Sequence, residues 1–345
     1  MTAYFIRRFL LIIPTFIGIT LAVFVVMHFV PGGPVERQIM RYQMAAMTEG
    51  GAGASMSASR GSASLPQEAI DEIRRYYGFD KPVHIRYIQW LWKVIHLDLG
   101  TSYIYQDPVW DVIKSRFPIS IFLGLTGFLL SYFVCVPLGV MKAVRHGSKF
   151  DLVSSVLVFL GYAVPGWALG TALLVLLGGG SFWSIFPLGG FRPDNWAYLS
   201  LWGKIAGQIH HMFLPVVCYM VGSFATETIL MKNSLMENLG QDYVRTAFAK
   251  GLTERRVIFV HVLRNSLIPI VTGLGHVISL ILAGAFLIER VFNIDGMGYL
   301  GYTAILQRDY PVALGILVIG SLLMLVGNIL SDIIYAVVDP RIRFS

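Results

Sequence analysis

Six apolar runs alternate with polar stretches along this chain, at roughly residues 9–30, 117–141, 152–178, 212–231, 266–289 and 311–338. A hydrocarbon core about 30 Å thick is crossed by about 20 residues of helix, so each run predicts a membrane-spanning helix. Glycine and proline interrupt several runs, which membrane helices tolerate better than soluble ones do. The third carries the sharpest interruption, Tyr162-Ala163-Val164-Pro165-Gly166-Trp167. Pro165 removes a backbone donor and Gly166 loosens the helix, so a kink is expected there. A kinked helix bearing Tyr and Trp suits a substrate path and a packing bend equally well.

Two polar stretches have structure of their own. The first loop, about residues 31–116, contains a Gly/Ala/Ser-rich segment at 44–64 that buries too little apolar surface to order itself and reads as a flexible linker. Beyond it, residues 67–77 and 87–97 carry apolar positions at helical spacing, with Trp90 and Trp92 in the second. That module reads as an interfacial anchor or a docking surface. The other stretch is the loop at 232–265. Tyr243, Val244, Ala247 and Phe248 share one helical face while Arg245 and Lys250 point elsewhere. Gly251 supplies a helix stop, Thr253 a cap and Glu254 a charge suited to the next helix's positive end. Two short helices joined at a glycine make a compact plug for a soluble partner, against the alternative of a basic helix lying on anionic lipid.

Composition agrees with a membrane protein: 55% of residues are hydrophobic and 14% charged. The net charge of +7 comes with scattered bases and no nucleic-acid-binding motif. Its distribution carries orientation. With the N-terminus inside, the inner set holds Arg7, Arg8, Lys142, Arg145, Lys149, Lys232, Arg245, Lys250, Arg255, Arg256, Arg264, Arg341 and Arg343. The short outer loops hold Arg192, Lys204, Arg290 and Arg308, so both termini are expected in the cytoplasm. Cys135 and Cys218 sit in apolar runs as small hydrophobes. The first apolar run lacks a convincing cleavage site and is expected to remain as a span.

Catalytic patterns are missing. No phosphate-binding G-x-x-x-x-G-K-[ST] occurs, so energy for any transport must come from another chain or an ion gradient. Zinc spacing and nucleophile elbows are absent too, and neither metal nor cofactor is expected. Adjacent His210 and His211 diverge by about 100° on a helix and do not share a metal. Glu227, Glu289 and Asp332 lie in or beside apolar runs. Glu227 is expected to make a structural contact, with Lys232 reaching back to it; an ion-coupling role is the rival. Glu289 and Asp332 lie near run ends, where a hydrated or paired carboxylate has no special role.

Several motifs resemble those of permease subunits of bacterial ABC importers, in the dipeptide/oligopeptide branch. RTAFAKG at 245–251 and the Leu-Ile-Pro at 267–269 look like that family's cytoplasmic coupling loop, with Thr246-Ala247-Phe248 where many relatives carry Glu-Ala-Ala. YFIRRFLLIIPT and FVPGGP near the start, LDLGTSY at 97–103, RDYPVALG at 308–315 and DPRIRF at 339–344 are similar to the same branch, so the likeness covers the whole chain. The long first loop and Gly-Gly-Pro at 32–34 look most like the Yej-type group.

The resemblance implies an all-α, polytopic inner-membrane protein with six transmembrane helices, a long periplasmic first loop and a cytoplasmic coupling-helix loop. Its divisions would be a first helix at 1–30, a periplasmic module at 31–116 and a five-helix core at 117–345 containing the coupling loop 232–265. A non-catalytic subunit of this kind would work with a second homologous permease, one fused or two separate ABC ATPases and a periplasmic substrate-binding protein. Peptides or peptide-like compounds, microcin C-type antibiotics among them, would be the cargo. Dipeptides, nickel complexes, glutathione and sugars are alternatives. Tyr243, Val244, Arg245, Ala247, Phe248, Lys250, Gly251 and Leu252 would form the ATPase-coupling set. Tyr162, Pro165, Gly166, Trp167, Gly170, Gly273 and Gly275 are candidates for lining the pathway.

Overall fold

The computed structural model describes residues 2–29, 67–76, 81–179, 182–272 and 284–338. Among them the regular elements are helices, with two isolated β-bridges besides. In chain order these are α1 (Thr2–Phe29), α2 (Gln67–Tyr76), α3 (Val83–Ile95), α4 (Val109–Val144), α5 (Lys149–Ala163), α6 (Gly166–Leu177), α7 (Leu201–Leu239) and α8 (Asp242–Ala249). A helical run at 254–266, α9, consists of Glu254–Arg256, a wide π-turn at Val257–Val262 and Leu263–Ser266. Then come α10 (Ile268–Thr272), α11 (Phe286–Val291), α12 (Met297–Leu306) and α13 (Tyr310–Val338).

Among the described residues four stretches are long and apolar enough to cross a membrane: Ile6–Val26, Val109–Val144, Leu201–Leu239 and Tyr310–Ile333. They correspond to the first, second, fourth and sixth apolar runs. The third run is α5 plus α6, bent by 95° at its break. The expected kink is therefore a full restart. Val164, before the proline, is extended at ψ 117°, and Pro165 becomes the N-cap whose carbonyl accepts from Ala168 and Leu169. Residues 273–283, the middle of the fifth run, lie outside the described residues, as does the linker at 44–64. α7 is longer than the fourth apolar run because Ser200 caps it, accepting from the Gly203 N–H at 3.3 Å.

Two compact units emerge, and α1, α4, α12 and α13 each run through both. One comprises residues 13–114 and 301–319. In it the Tyr87 hydroxyl of α3 lies 3.0 Å from Thr20 Oγ1 and donates to the Ile17 carbonyl, and Phe24, Tyr87 and Trp90 pack ring against ring. Trp90 is thus packed, whereas Trp92 is 65% exposed. The motifs at 97–103 and 308–315 meet here. Asp309, buried ahead of α13, accepts from Ser102 Oγ at 2.5 Å and from the N–H groups of Tyr103 and Ile104.

The other unit comprises residues 1–12, 115–300 and 320–345. Arg8 of α1 pairs with Asp332 of α13, the paired carboxylate the sequence allowed. One apolar cluster gathers Leu123, Met212, Leu214, Cys218, Ile288 and Phe292 around α7. α6 lies close on α7 because a Cβ on Gly166 would stand 2.6 Å from the Cys218 carbonyl oxygen. One turn on, a Cβ on Gly170 would stand 2.9 Å from the Phe292 ring. Small residues four apart let helices approach where lipid supplies no hydrophobic drive between them. Gly166→Val should drive α6 off α7 and destabilise the subunit by about 1–3 kcal/mol, the usual penalty of overpacking. Thermal unfolding of the purified subunit in detergent checks this, with the exposed Tyr162→Ala as the unperturbed control.

Candidate functional site

The 242–269 stretch folds as an elbow with two faces. α8 ends at Ala249, and Gly251 then takes φ +76°, the left-handed conformation that halts a helix. The Gly251 N–H reaches the Phe248 carbonyl at 2.9 Å and the Leu252 N–H the Ala247 carbonyl at 3.3 Å, closing the turn. Thr253 occupies the expected cap position with extended backbone, but its side chain accepts no hydrogen bond. The following run widens into a π-turn, buries Val257, Ile258 and Val262, and leaves Phe259 and Val260 exposed.

One face of the elbow belongs to the chain's own core. Val244 and Ala247 are buried among Val140 and Ala143 of α4, Met231 and Leu235 of α7, Val257 and Val262 of α9 and Ile270 of α10, with Leu252 packed alongside. Full burial of a Val or Leu side chain contributes about 1.5–3 kcal/mol, so this face firmly seats the elbow. The structure divides the expected docking set: Val244 and Ala247 are buried and face inward, and Leu252 is partly buried against the same core. Outward stand Tyr243, 36% exposed, and Phe248, 47% exposed, with Arg245 and Lys250 beside them. Arg245 lies 3.5 Å from Asp242, an exposed pair of little consequence for stability. Ser234 of α7 and Ser266 of α9 donate to each other's carbonyls at 2.9 and 3.4 Å, adding a polar tie.

Beside this core sits a buried ionic cluster. The Lys142 side chain of α4 is 1% exposed, and its ammonium donates to Ser155 Oγ (2.6 Å), Ser154 Oγ (2.9 Å) and the Asp151 carbonyl (3.1 Å). It lies 3.2 Å from the Asp151 carboxylate. Lys232 of α7 reaches both oxygens of the same carboxylate at 2.8 Å. The Gly147 N–H donates to it at 3.2 Å, and His146 Nδ1 stands 3.3 Å away. Asp151 sits in the first turn of α5, where Ser148 Oγ accepts its N–H and the helix end favours negative charge. Sequence reasoning took Lys142 only as an inside charge, aimed Lys232 at Glu227 and passed over Asp151. Ser148-x-x-Asp151 ahead of an apolar run is a capping-box pattern that could have marked it.

Lys232 therefore does not reach back to Glu227, as the sequence suggested. The stronger, bidentate partner is Asp151, and Glu227 is half-buried. Glu289 also departs from expectation. Far from hydrated, it is fully buried, accepting the Tyr299 N–H at 2.7 Å, while Ser120 Oγ 3.5 Å away accepts the Met297 N–H. It anchors the turn from α11 into α12. His210 and His211 contact separate backbone carbonyls, of Ile185 and Gly207. Among the described residues no three His, Cys, Asp or Glu side chains converge as a metal site would require.

The pathway candidates do not form a set. Gly166 and Gly170 are helix-packing positions rather than lining, because close approach of α7 and Phe292 fills the space beside them. Tyr162, Pro165 and Trp167 are exposed, and Gly273 and Gly275 lie outside the described residues. Trp167 borders an open groove of about 540 Å³ with Ala168, Thr171, Ala172, Val175 and Leu176. The Thr171 hydroxyl there is already engaged with the Trp167 carbonyl, so the groove offers little to orient a polar ligand.

Long apolar helices with an elbow seated on their core define a polytopic α-helical membrane protein. The sequence pattern of the family described as "Binding-protein-dependent transport system inner membrane component" matches residues 135–344. The chain is 40% identical over 360 residues to the peptidoglycan transport system permease protein YejB of Agrobacterium fabrum, covering 100% of this chain and 99% of that one. It is 41% identical over 362 residues to the inner membrane ABC transporter permease protein YejB of Escherichia coli O157:H7, covering 100% of both. With the dipeptide transport system permease protein DppB of Escherichia coli K12 it shares 35% over 361 residues and 99% of each. The chain belongs to the family of inner-membrane components of binding-protein-dependent transport systems.

Gly251 is the one elbow position where the backbone itself restricts the side chain. A Cβ there would meet nothing within 4 Å, so Gly251→Ala isolates backbone strain from crowding. It should destabilise the elbow by about 1–2 kcal/mol, and Gly251→Asn by less, since Asn tolerates the left-handed region. Hydrogen exchange across residues 242–266 would report the loosening and its order.

Proposed function

We propose that this chain is one of two transmembrane subunits of an ATP-driven importer that carries peptides or peptide-like compounds from the periplasm into the cytoplasm. The observation that carries the reading is the two-faced elbow: Val244 and Ala247 are locked into the subunit's core while Tyr243 and Phe248 are left on the surface. A rigidly seated helix with two exposed aromatic rings and flanking cations suits a soluble ATPase, because central aromatics dominate interface energy and rim charges add less. The absence of a phosphate-binding loop from the sequence assigns hydrolysis to that partner. A second permease and a periplasmic binding protein complete the machine.

Cargo follows from the relatives, two of which are named for dipeptide and oligopeptide transport. Membership of a binding-protein-dependent transport family favours ATP-driven coupling over the ion-coupled alternative. The Lys/Arg asymmetry of the short loops supports cytoplasmic termini.

Phe248→Asp puts a charge into the apolar centre of the docking face and should weaken ATPase association by about 2–4 kcal/mol, roughly 30- to 1,000-fold. Co-purification of the ATPase and ATP-dependent peptide uptake in proteoliposomes check it, and normal uptake by this variant removes the elbow from the coupling path. Orientation is tested separately. Asn195→Cys should react with an impermeant maleimide from the outside, and Arg255→Cys only after permeabilisation; outside labelling at 255 reverses the topology.

A further inference from the structure

We propose that Asp151, with Lys142 and Lys232, is a positioning clamp that makes the elbow-side ends of α4, α5 and α7 move as one body with the coupling elbow. The inference rests on the importer reading above and adds how motion would pass from the elbow into the spans. α7 is the junction. Within residues 231–235, Met231 and Leu235 pack against Val244, Ala247 and Val257, and Ser234 exchanges hydrogen bonds with Ser266 of α9. Between those positions Lys232 is fastened to Asp151 of α5 by two contacts of 2.8 Å. Lys142 fastens α4 to the same carboxylate, and its neighbours Val140 and Ala143 also enter the elbow's core.

One short stretch of α7 is thus gripped by the elbow on one side and by α5 on the other. Apolar packing alone lets helices slide, since neighbouring positions along a ridge are nearly equivalent. An ammonium bound by both oxygens of one carboxylate, with a second ammonium on the same group, has no equivalent site one turn away. Asp151 is buried, so displacement would strand both cations in an apolar setting. The clamp therefore resists relative sliding of these helix ends while leaving the whole group free to tilt.

The test uses the complete transporter with its ATPases and binding protein. Spin labels at Lys149→Cys and Glu237→Cys, both exposed and outside the clamp, read the distance between α5 and α7 without and with trapped nucleotide. The clamp requires that distance to stay within about 2 Å, whereas a shift of about 5 Å, one helical turn, overturns it. In parallel, Lys232→Gln should lower peptide taken up per ATP hydrolysed about tenfold while the ATPase remains bound, and Lys232→Arg, which keeps a bidentate cation, should stay within about twofold of wild type. A purely structural contact would instead reduce yield and melting temperature and leave uptake per ATP in the surviving complex unchanged, which rejects the proposal. If Lys232→Gln does not assemble, the distance measurement decides alone. Wild-type uptake without ATP would sink the importer reading itself, and full ATPase binding to Phe248→Asp would remove only the elbow from the docking face; when neither occurs and the labels separate, only the clamp fails.

Discussion

A lysine whose side chain is 1% exposed needs an anion and hydrogen-bond acceptors within reach, and Lys142 finds all of them on the first turns of one helix. Asp151 then answers Lys232 as well. Removing one member of such a buried set typically costs about 3–5 kcal/mol, because the remaining charge is left uncompensated. That penalty ties α4, α5 and α7 together at the end where the elbow is seated. The neighbouring apolar cluster of Val140, Met231, Leu235, Val244 and Val257 draws on two of those helix ends, α4 and α7.

Elsewhere in the chain the same requirement acts through backbone groups. Asp309 collects Ser102 and two N–H groups, so two distant motifs form a single joint. Glu289 does the equivalent with Tyr299 and Ser120. Acidic residues near span ends look expendable in a sequence because water could serve them. In the fold water is excluded, and they become the acceptors that organise the loops between spans.

The elbow illustrates how packing divides a motif. Tyr243, Val244, Ala247 and Phe248 form a continuous apolar set on a helical wheel, and RTAFAKG marks the segment by family likeness. Only contact with α4, α7 and α9 separates the pair that holds the elbow in place from the pair that remains available to a partner. Gly251 needed no such context, since a glycine after an amphipathic helix already signals a left-handed stop, and its φ is +76°.

Hydrophobic periodicity by itself determined the membrane class, most of the spanning helices and the site of the break at Pro165, because run length and a missing backbone donor are local properties. The motifs along the chain were enough to indicate the family for the same reason. Tertiary structure alone decided that Lys232 serves Asp151 rather than Glu227, that Gly166 and Gly170 are packing positions, and that Val244 and Ala247 face inward. Each of those depends on which helix lies alongside, and residues 81 positions apart in the chain, such as Asp151 and Lys232, carry no local sign that they meet.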